Sequence, residues 1–400
     1  MDLGLGIAWS SGMRSLLLSW LLWFPVSVFS ASDPVDALRS QRNWEELEAF
    51  HGAVSRSFFE NAMERIYAPT AQWRKWMRVE ESGVWIETGE LPGEQGFFLR
   101  FGEGSPVVSP STWSGLRGLR IVLDPGHIGG TWGPLEERSF AIGDGPVVQE
   151  GDLTLAIARR LAARLREQGA EVLLTREAAE PATPLRSKDF WEEARAKWAQ
   201  DEVRVAALAE RFFYRTAEIR ARAQLIEAWG GADLALALHI NASGFADPEK
   251  PALHERNDAH VLINGCYLDS ELASPAQRLE LLLRLLQGYH VEEERLGRGM
   301  VDSIRAATGL PAYQYAAGNA CPIDAEQYLW SRNLLANRIY DCPVLYLEPW
   351  QANSKGVYEW AAAGDYEGLR EFHGELRPSL PATYCDFVLA GLEKGFSVEP

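Results

Sequence analysis

The sequence predicts an α/β fold: a single twisted, mostly parallel or mixed sheet of at least five strands with helices on both faces, plus a small N-terminal α+β extension. Two observations carry this expectation. From Leu119 onward, short apolar runs alternate with helical patterns, as in a sheet covered on both sides. Several of those runs are almost uniformly apolar, which strands buried on both faces require.

RIVLDPG, ending in Pro-Gly, reads as a central strand and AEVLLTR as the next. Between them a helix opens near Asp152, carries Leu153, Ile157, Leu161 and Leu165 on one face, and stops at Gly169. DLALALHIN, AHVLING and PVLYLEP supply three more strands, with LELLLRLLQGY as a covering helix between the last two. The charged, Trp-containing segment DFWEEARAKWAQDEVRVAALAERFFY, between Arg176 and Arg220, exceeds what joining a strand to a helix needs. It reads either as a lid or partner-binding element over a cleft, or as an amphipathic surface helix.

Upstream, NWEELEAFHGAVSRSFFENAMERIY has helical spacing, and GVWIETGELPGEQGFFLRFG alternates and turns at Pro-Gly like a hairpin. Trp73, Trp76 and Trp85 read as core of this unit, with stacking on sugar faces as the alternative. The chain thus divides into residues 1–30, an extension over 31–118, a main domain over 119–378 and a C-terminal tail over 379–400.

The 400 residues carry a formal net charge of -17, which argues against a protein that grips nucleic acid or an anionic bilayer through diffuse positive potential. Met13-Arg14 followed by SLLLSWLLWFPVSVFSA has the charged start, apolar stretch and small residues of a cleaved secretory signal. Pro25 interrupts the stretch, so no stable membrane span is expected once the signal is removed, and the expected compartment is the periplasm rather than the medium. Cys266, Cys321, Cys342 and Cys385 form no CxxC pair, and their even number in an exported chain permits disulfides. Cys321 and Cys342 are the favoured pair, because both precede proline in loops flanking a helical stretch, with four free buried thiols as the alternative.

Four residues fall where a buried strand ends or a helix begins: His127, Glu150, His239 and Glu348. Such positions expose rigidly held side chains to a crevice in an α/β protein. Two imidazoles and one of the two carboxylates there form the ligand set of a hydrolytic zinc site, open at one position for water, with the fourth residue free for proton transfer. Glu348, a carboxylate after the apolar run VLYL, needs a partner, a crevice or a function. His51, His254, His260, His290 and His373 end no apolar strand in this way and are expected to be ordinary core or surface residues. Gly126, Gly129 and Gly130 allow close backbone approach beside His127.

The set DPGH with its following glycines, EGDLTLAIARRLAARL, LLTR at Arg176, ADLALALHINA, and PVLYLEP followed by Asn353 resembles the zinc-dependent N-acetylmuramoyl-L-alanine amidases of the type 3 family, over about residues 119–360. The resemblance implies that His127, Glu150 and His239 bind Zn2+ and that Glu348 is the catalytic acid/base. It also implies cleavage of the amide between N-acetylmuramic acid and L-alanine in peptidoglycan, and places Asn241 behind a ligand histidine. A protein activator is compatible with it. The segment TWGPLEERSFAIGDGPVV between His127 and Glu150 is longer than in the family, which makes Glu136 and Glu137 competing ligand candidates, and GLPAYQYAAGNACPIDAEQYLW is a candidate to border the cleft. Two other functions stay open: a zinc peptidase acting on stem peptides, and a catalytically silent wall-binding regulator of the same fold.

Overall fold

The structure, a computed structural model, describes residues 34–106, 115–247 and 250–397. The expected signal, residues 1–30, lies outside the described residues. The N-terminal part opens with α1 (Pro34–Leu38), a 3-10 turn over Trp44–Phe50 reciprocally capped by Asn43 and Glu46, and α2 (Arg56–Ala62). The antiparallel strands β1 (Met77–Val79), β2 (Gly83–Glu87) and β3 (Gly96–Arg100) follow, the last two forming the expected hairpin. Trp73 and Trp76 are buried in the core, as their apolar area favours. The buried Arg278 guanidinium lies 4.3 Å from the Trp76 ring and donates from Nε to the Glu87 carbonyl at 3.1 Å, fastening this sheet to the rest of the protein.

The main part runs through β4 (Arg120–Pro125), a short ribbon of β5 (Ser139–Phe140) and β6 (Val148–Gln149), α3 (Glu150–Glu167) and β7 (Glu171–Leu174). The insert contributes α4 (Trp191–Lys197) and α5 (Glu202–Arg211) ahead of α6 (Glu218–Ala228) and β8 (Leu234–Leu238). Next come β9 (Ala259–Ile263), α7 (Asp269–Leu272), α8 (Pro275–Leu286), α9 (Tyr289–Thr308), β10 (Cys321–Pro322) and β11 (Leu329–Ser331). The chain continues through α10 (Leu335–Ile339), β12 (Val344–Pro349), α11 (Tyr358–Ala362), the hairpin β13 (Arg370–Phe372) and β14 (Glu375–Arg377), and α12 (Leu380–Ser397).

Seven strands form one mixed sheet in the order β10-β11-β9-β12-β8-β4-β7. Strands β7, β4, β8 and β12 are mutually parallel, whereas β9 pairs antiparallel with β12. Alternate side chains serve two cores. Ile121, Leu123, Leu236 and Leu347 pack with residues of α3, α9 and α12, while Val122, Ala235, Ala237 and Tyr346 pack with residues of α6 and α10. The strands therefore look uniformly apolar because both faces are covered.

Three expectations change. The helix expected from Asp152 begins two residues earlier, so Glu150 is its first residue. The C-terminal tail carries the 18-residue helix α12, whose Tyr384, Phe387, Val388 and Leu392 are buried in the main core. The disulfide joins Cys266 to Cys321 rather than Cys321 to Cys342. Its physical reason is the sheet order: β11 pairs with β9 on one side and β10 on the other, bringing Cys321 beside the exit of β9, where Cys266 sits. Cys342 is buried at the start of β12, and its thiol is free like that of Cys385.

The insert does not line the cleft beside Glu150; its α5 buries Val205 and Ala209 and exposes its opposite face, as an amphipathic surface helix does. Phe190, Val205 and Phe213 form a third core with Ala37 of α1 and Ile128, Trp132 and Leu135 of the loop that follows His127. It therefore props that loop from behind.

The Cys266–Cys321 bond closes a separation of 55 residues, and a cross-link of that span stabilises by about 4 kcal/mol in the chain-entropy account. The double variant Cys266→Ser/Cys321→Ser should lose stability of that order in denaturant titrations, and a wild-type unfolding curve indifferent to reductant would contradict the bond.

Candidate metal centre

The parallel register aligns Pro125 with Leu238, and Leu238 with Leu347, so β4, β8 and β12 end along one edge of the sheet. His127 follows the first strand by two residues, His239 follows the second by one, and Glu348 is near the end of the third. Glu150 reaches the same edge from α3, which is docked there because Thr154 donates from Oγ1 to the Gly126 carbonyl at 2.6 Å and Arg176 donates from Nη2 to the Gly151 carbonyl at 2.5 Å. The ribbon sets the register of arrival: Ser139 faces Gln149, and the Glu150 N–H donates to the Arg138 carbonyl at 3.2 Å.

One donor atom from each of His127, Glu150 and His239 lies within 4.8 Å of the others. His127 Nε2 is 3.2 Å from Glu150 Oε2, and His239 Nδ1 is 2.9 Å from Glu150 Oε1. A tetrahedral zinc ion with bonds of ~2.0 Å sets its ligand atoms ~3.3 Å apart, so this donor set fits one. Glu150 is buried. Burial alone would raise its carboxyl, but the His127 charge, the His239 hydrogen bond and Arg138 bring it down to about 2, so it is an anion at any working pH. His239 responds in the opposite sense: burial lowers its pKa, and Glu150 and Glu348 outweigh that to hold it above the ordinary value.

The ring of His127 is aimed by its surroundings. Its backbone has φ 59°, a conformation rare outside glycine, and two groups hold it there. Arg222 donates from Nη2 to the His127 carbonyl at 3.0 Å, and Glu136 Oε2 accepts from the Ile128 N–H at 2.8 Å. Glu136 Oε1 faces His127 Nδ1 at 3.4 Å. Glu136 therefore stands behind His127 and does not compete for the metal, because its other oxygen is committed to the backbone. Glu137 is exposed and outside the donor cluster.

Asn241 is not placed behind a ligand histidine. Its Oδ1 accepts from the Ala242 N–H at 2.8 Å and its carbonyl accepts from the Ala352 N–H at 2.7 Å, so it joins the loops after β8 and β12. Asn353 reinforces this junction through Ser243 and His254. Gly126 is small for a reason different from ligand access: a Cβ there would lie 2.4 Å from Cε1 of His239.

Glu348 sits beside the cluster. The His239 N–H donates to the Leu347 carbonyl at 3.0 Å, and the antiparallel register sets His260 opposite Glu348. Burial pushes Glu348 up to about 7; His239 opposes that rise and the charge of Glu150 adds to it. His260, expected to be an ordinary core residue, is buried and neutral, its pKa pushed by burial, Arg332 and Arg256 down to about 3. Its ring packs against Tyr313 and Tyr315, with the Tyr315 hydroxyl 2.9 Å from Nε2. The segment expected to border the cleft thus packs, through Tyr313 and Tyr315, on the histidine paired with Glu348 across the sheet. On the other side of the centre, a cavity of about 290 Å³ opens along Arg138, Phe140, Glu150, Ser243 and Phe245.

The residues that sequence reasoning passed over are Arg222 and Asp124. Asp124, buried at the end of β4, accepts from Thr175 at 2.5 Å, Arg222 at 2.8 Å and Tyr340 at 2.9 Å. Asp124 opens the DPGH signature, and a carboxylate in an apolar strand was itself the available signal.

The family model for N-acetylmuramoyl-L-alanine amidase (Amidase_3) matches residues 121–252, which carry His127, Glu150 and His239. Over that segment the chain matches this family. Among solved structures, it is similar to the N-acetylmuramyl-L-alanine amidase Ami1 from Mycobacterium smegmatis, at 14% identity and a TM-score of 0.41 over 72% of this chain and 100% of that one. It is also similar to the CwlD amidase from Clostridioides difficile, solved in complex with the GerS lipoprotein, at 12% identity and a TM-score of 0.40 over 70% and 100% of the two chains. AmiC2 of Nostoc punctiforme matches at 16% identity and a TM-score of 0.35 over 68% and 94%. No curated protein matches the sequence. This match and the cluster of candidate metal ligands together support amidase-type chemistry at this centre.

Gly126→Ala would force its Cβ into the His239 ring, so zinc affinity should fall by ~10–100-fold, the usual effect of disturbing a ligand's support. Equilibrium dialysis against zinc tests this, and unchanged affinity would show that His239 tolerates displacement.

Proposed function

We propose that this protein is an exported, zinc-dependent amidase that hydrolyses the bond between the lactyl group of N-acetylmuramic acid and L-alanine, releasing stem peptides from peptidoglycan. The observation that carries the reading is the convergence, within a family-matched framework, of a hydrolytic zinc ligand set with a carboxyl group raised to the neutral range. The apolar N-terminal stretch after Arg14 supports export, with the periplasm as the compartment in which the wall is met.

His127, Glu150 and His239 would hold the ion, with Glu136 fixing the His127 ring from behind. A zinc ion held there supplies Lewis acidity, making water acidic enough to attack near neutral pH and stabilising negative charge on the amide oxygen. Glu348 moves the proton. Its carboxylate takes one from the attacking water and returns it to the departing L-alanine nitrogen. Phe140 and Phe245 give the adjacent cavity an apolar wall and Arg138 a cation, a lining suited to a peptide that bears carboxylates.

Digestion of purified peptidoglycan, with and without chelator, and mass analysis of the products tests the reading. Release of intact stem peptides with a free L-alanine amino group, abolished by chelator, is the expected outcome; fragments cut within the stem would make the enzyme a peptidase, and zinc-loaded protein that releases nothing would leave a wall-binding role. His127→Ala and His239→Ala should lose zinc and activity together, whereas Glu348→Ala should keep zinc and lose ~10²–10⁴-fold in turnover.

The carboxyl of Glu348 also predicts a pH signature of the metal-free protein. Its folded pKa of about 7 exceeds the ordinary 4.5, so between those values the folded state binds more protons than the unfolded one. Its contribution to stability is complete below pH 4.5 and is lost as pH rises through 7. Metal-free Glu348→Gln should therefore be more stable than metal-free wild type above pH 7 and converge with it below 4.5, and parallel curves across this range would refute the assignment.

A further inference from the structure

Away from the metal centre, α6, α8, α10 and the segment after α1 enclose a cavity of about 320 Å³, at the low end of the ~300–1,000 Å³ of small-molecule sites. A wider recess of about 810 Å³ adjoins it; Arg39, Arg42, Arg220 and Arg338 line both, and Arg215 lines the recess. The recess sets these five guanidinium groups against a single carboxylate, that of Glu280, whereas the inner cavity also carries Asp36, Glu46, Glu227 and Asp341, so the surplus of positive charge lies in the recess.

Some of these charges are answered within the protein. Arg42 pairs with Glu46 at 2.9 Å and Asp341 at 3.0 Å, and Arg338 donates to Glu280 at 2.6 Å. Arg220 is different. Its side chain is only 16% exposed, yet it makes no hydrogen bond among the described residues; its Nε is buried without a partner, and its ion pair with Glu280 spans 3.8 Å. A guanidinium carries five N–H donors, and buried polar groups are ordinarily satisfied. Burial keeps the Arg220 pKa below its usual value and Arg338 lowers it further, against the pull of Glu280. The side chains of Arg39 and Arg215 have no carboxylate partner among the described residues, Arg215 bonding only the hydroxyl of its neighbour Tyr214.

We propose that this recess is an anion-binding site, in which Arg220 receives the phosphate or carboxylate group of a small ligand, with Arg39 and Arg215 at the open side. The planar fork of a guanidinium matches the paired oxygens of either group, which would supply the acceptors that Arg220 lacks. The site is also linked to the metal centre. Tyr340, in the cavity wall, donates to Asp124, which pairs with the Arg222 that holds the His127 carbonyl.

Isothermal titration of the full chain with sodium phosphate and, separately, sodium acetate, at ionic strength fixed with sodium chloride, tests the proposal. Saturable binding of one of them is expected, weakened at least tenfold by Arg220→Gln and also weakened by the double variant Arg39→Gln/Arg215→Gln. The anion that binds tells phosphate from carboxylate. Binding at the zinc centre would be untouched by these substitutions, so equal affinity in wild type and both variants overturns the site, as does the absence of saturable binding by either anion. Arg39 and Arg215 are exposed, so the double variant decides the matter if Arg220→Gln does not fold: unchanged affinity then counts against the proposal.

Discussion

The buried ion pair between Arg222 and Asp124 is the constraint on which the rest of the centre depends. One guanidinium reaches Asp124 and Glu218 by charge, and the Pro125 and His127 carbonyls by hydrogen bonds, tying α6 to the end of β4 and to the turn that follows. Buried pairs are poor sources of net stability, but removing one partner is expensive because the other is left charged in an apolar setting. The arrangement therefore acts less as glue than as a gauge. The backbone of His127 is held left-handed in part because its carbonyl is bonded by a guanidinium that its other partners fix in place.

From that turn outward, each part of the centre is held by a different element. Glu136 restrains the imidazole of His127, the ribbon and α3 deliver Glu150, and the loop junction of Asn241 with Ala352 steadies the chain beyond His239. The carboxyl groups divide according to their neighbours. Glu150 lies between two imidazoles and Arg138 and is kept ionised, whereas Glu348, partly buried beside that negative charge, is kept near neutrality. Environment alone separates the ionisation of the two carboxyl groups, as the roles proposed for them require.

Much of this was legible in the chain. The five principal strands, the apolar face of α3 and the placement of His127, Glu150, His239 and Glu348 at element ends follow from local pattern, because sheet edges and helix starts leave a local signature. What escaped was set by tertiary order. Helix α9 has Leu296, Met300 and Ile304 at helical spacing, but its charges and its glycines at 297 and 299 mask the pattern. The Cys266–Cys321 pairing depends on which strands are neighbours, information that no spacing contains. The partners of the histidines likewise came from afar: Arg222 lies 95 residues from His127, and no local rule links the two.

The ribbon between His127 and Glu150 separates two tasks that a short loop would merge. Its base is stitched by Gln149 to Ser139 and by Glu150 to Arg138, while its tip is moored where the Tyr358 hydroxyl meets Ile142 and Pro146. Phe140 and Val148 face the cavity from its stem. The stem and tip thus form an exchangeable cassette: evolution or an engineer can lengthen, shorten or recolour it to reshape the adjacent cavity, while the Glu150 carboxylate at its foot keeps its address.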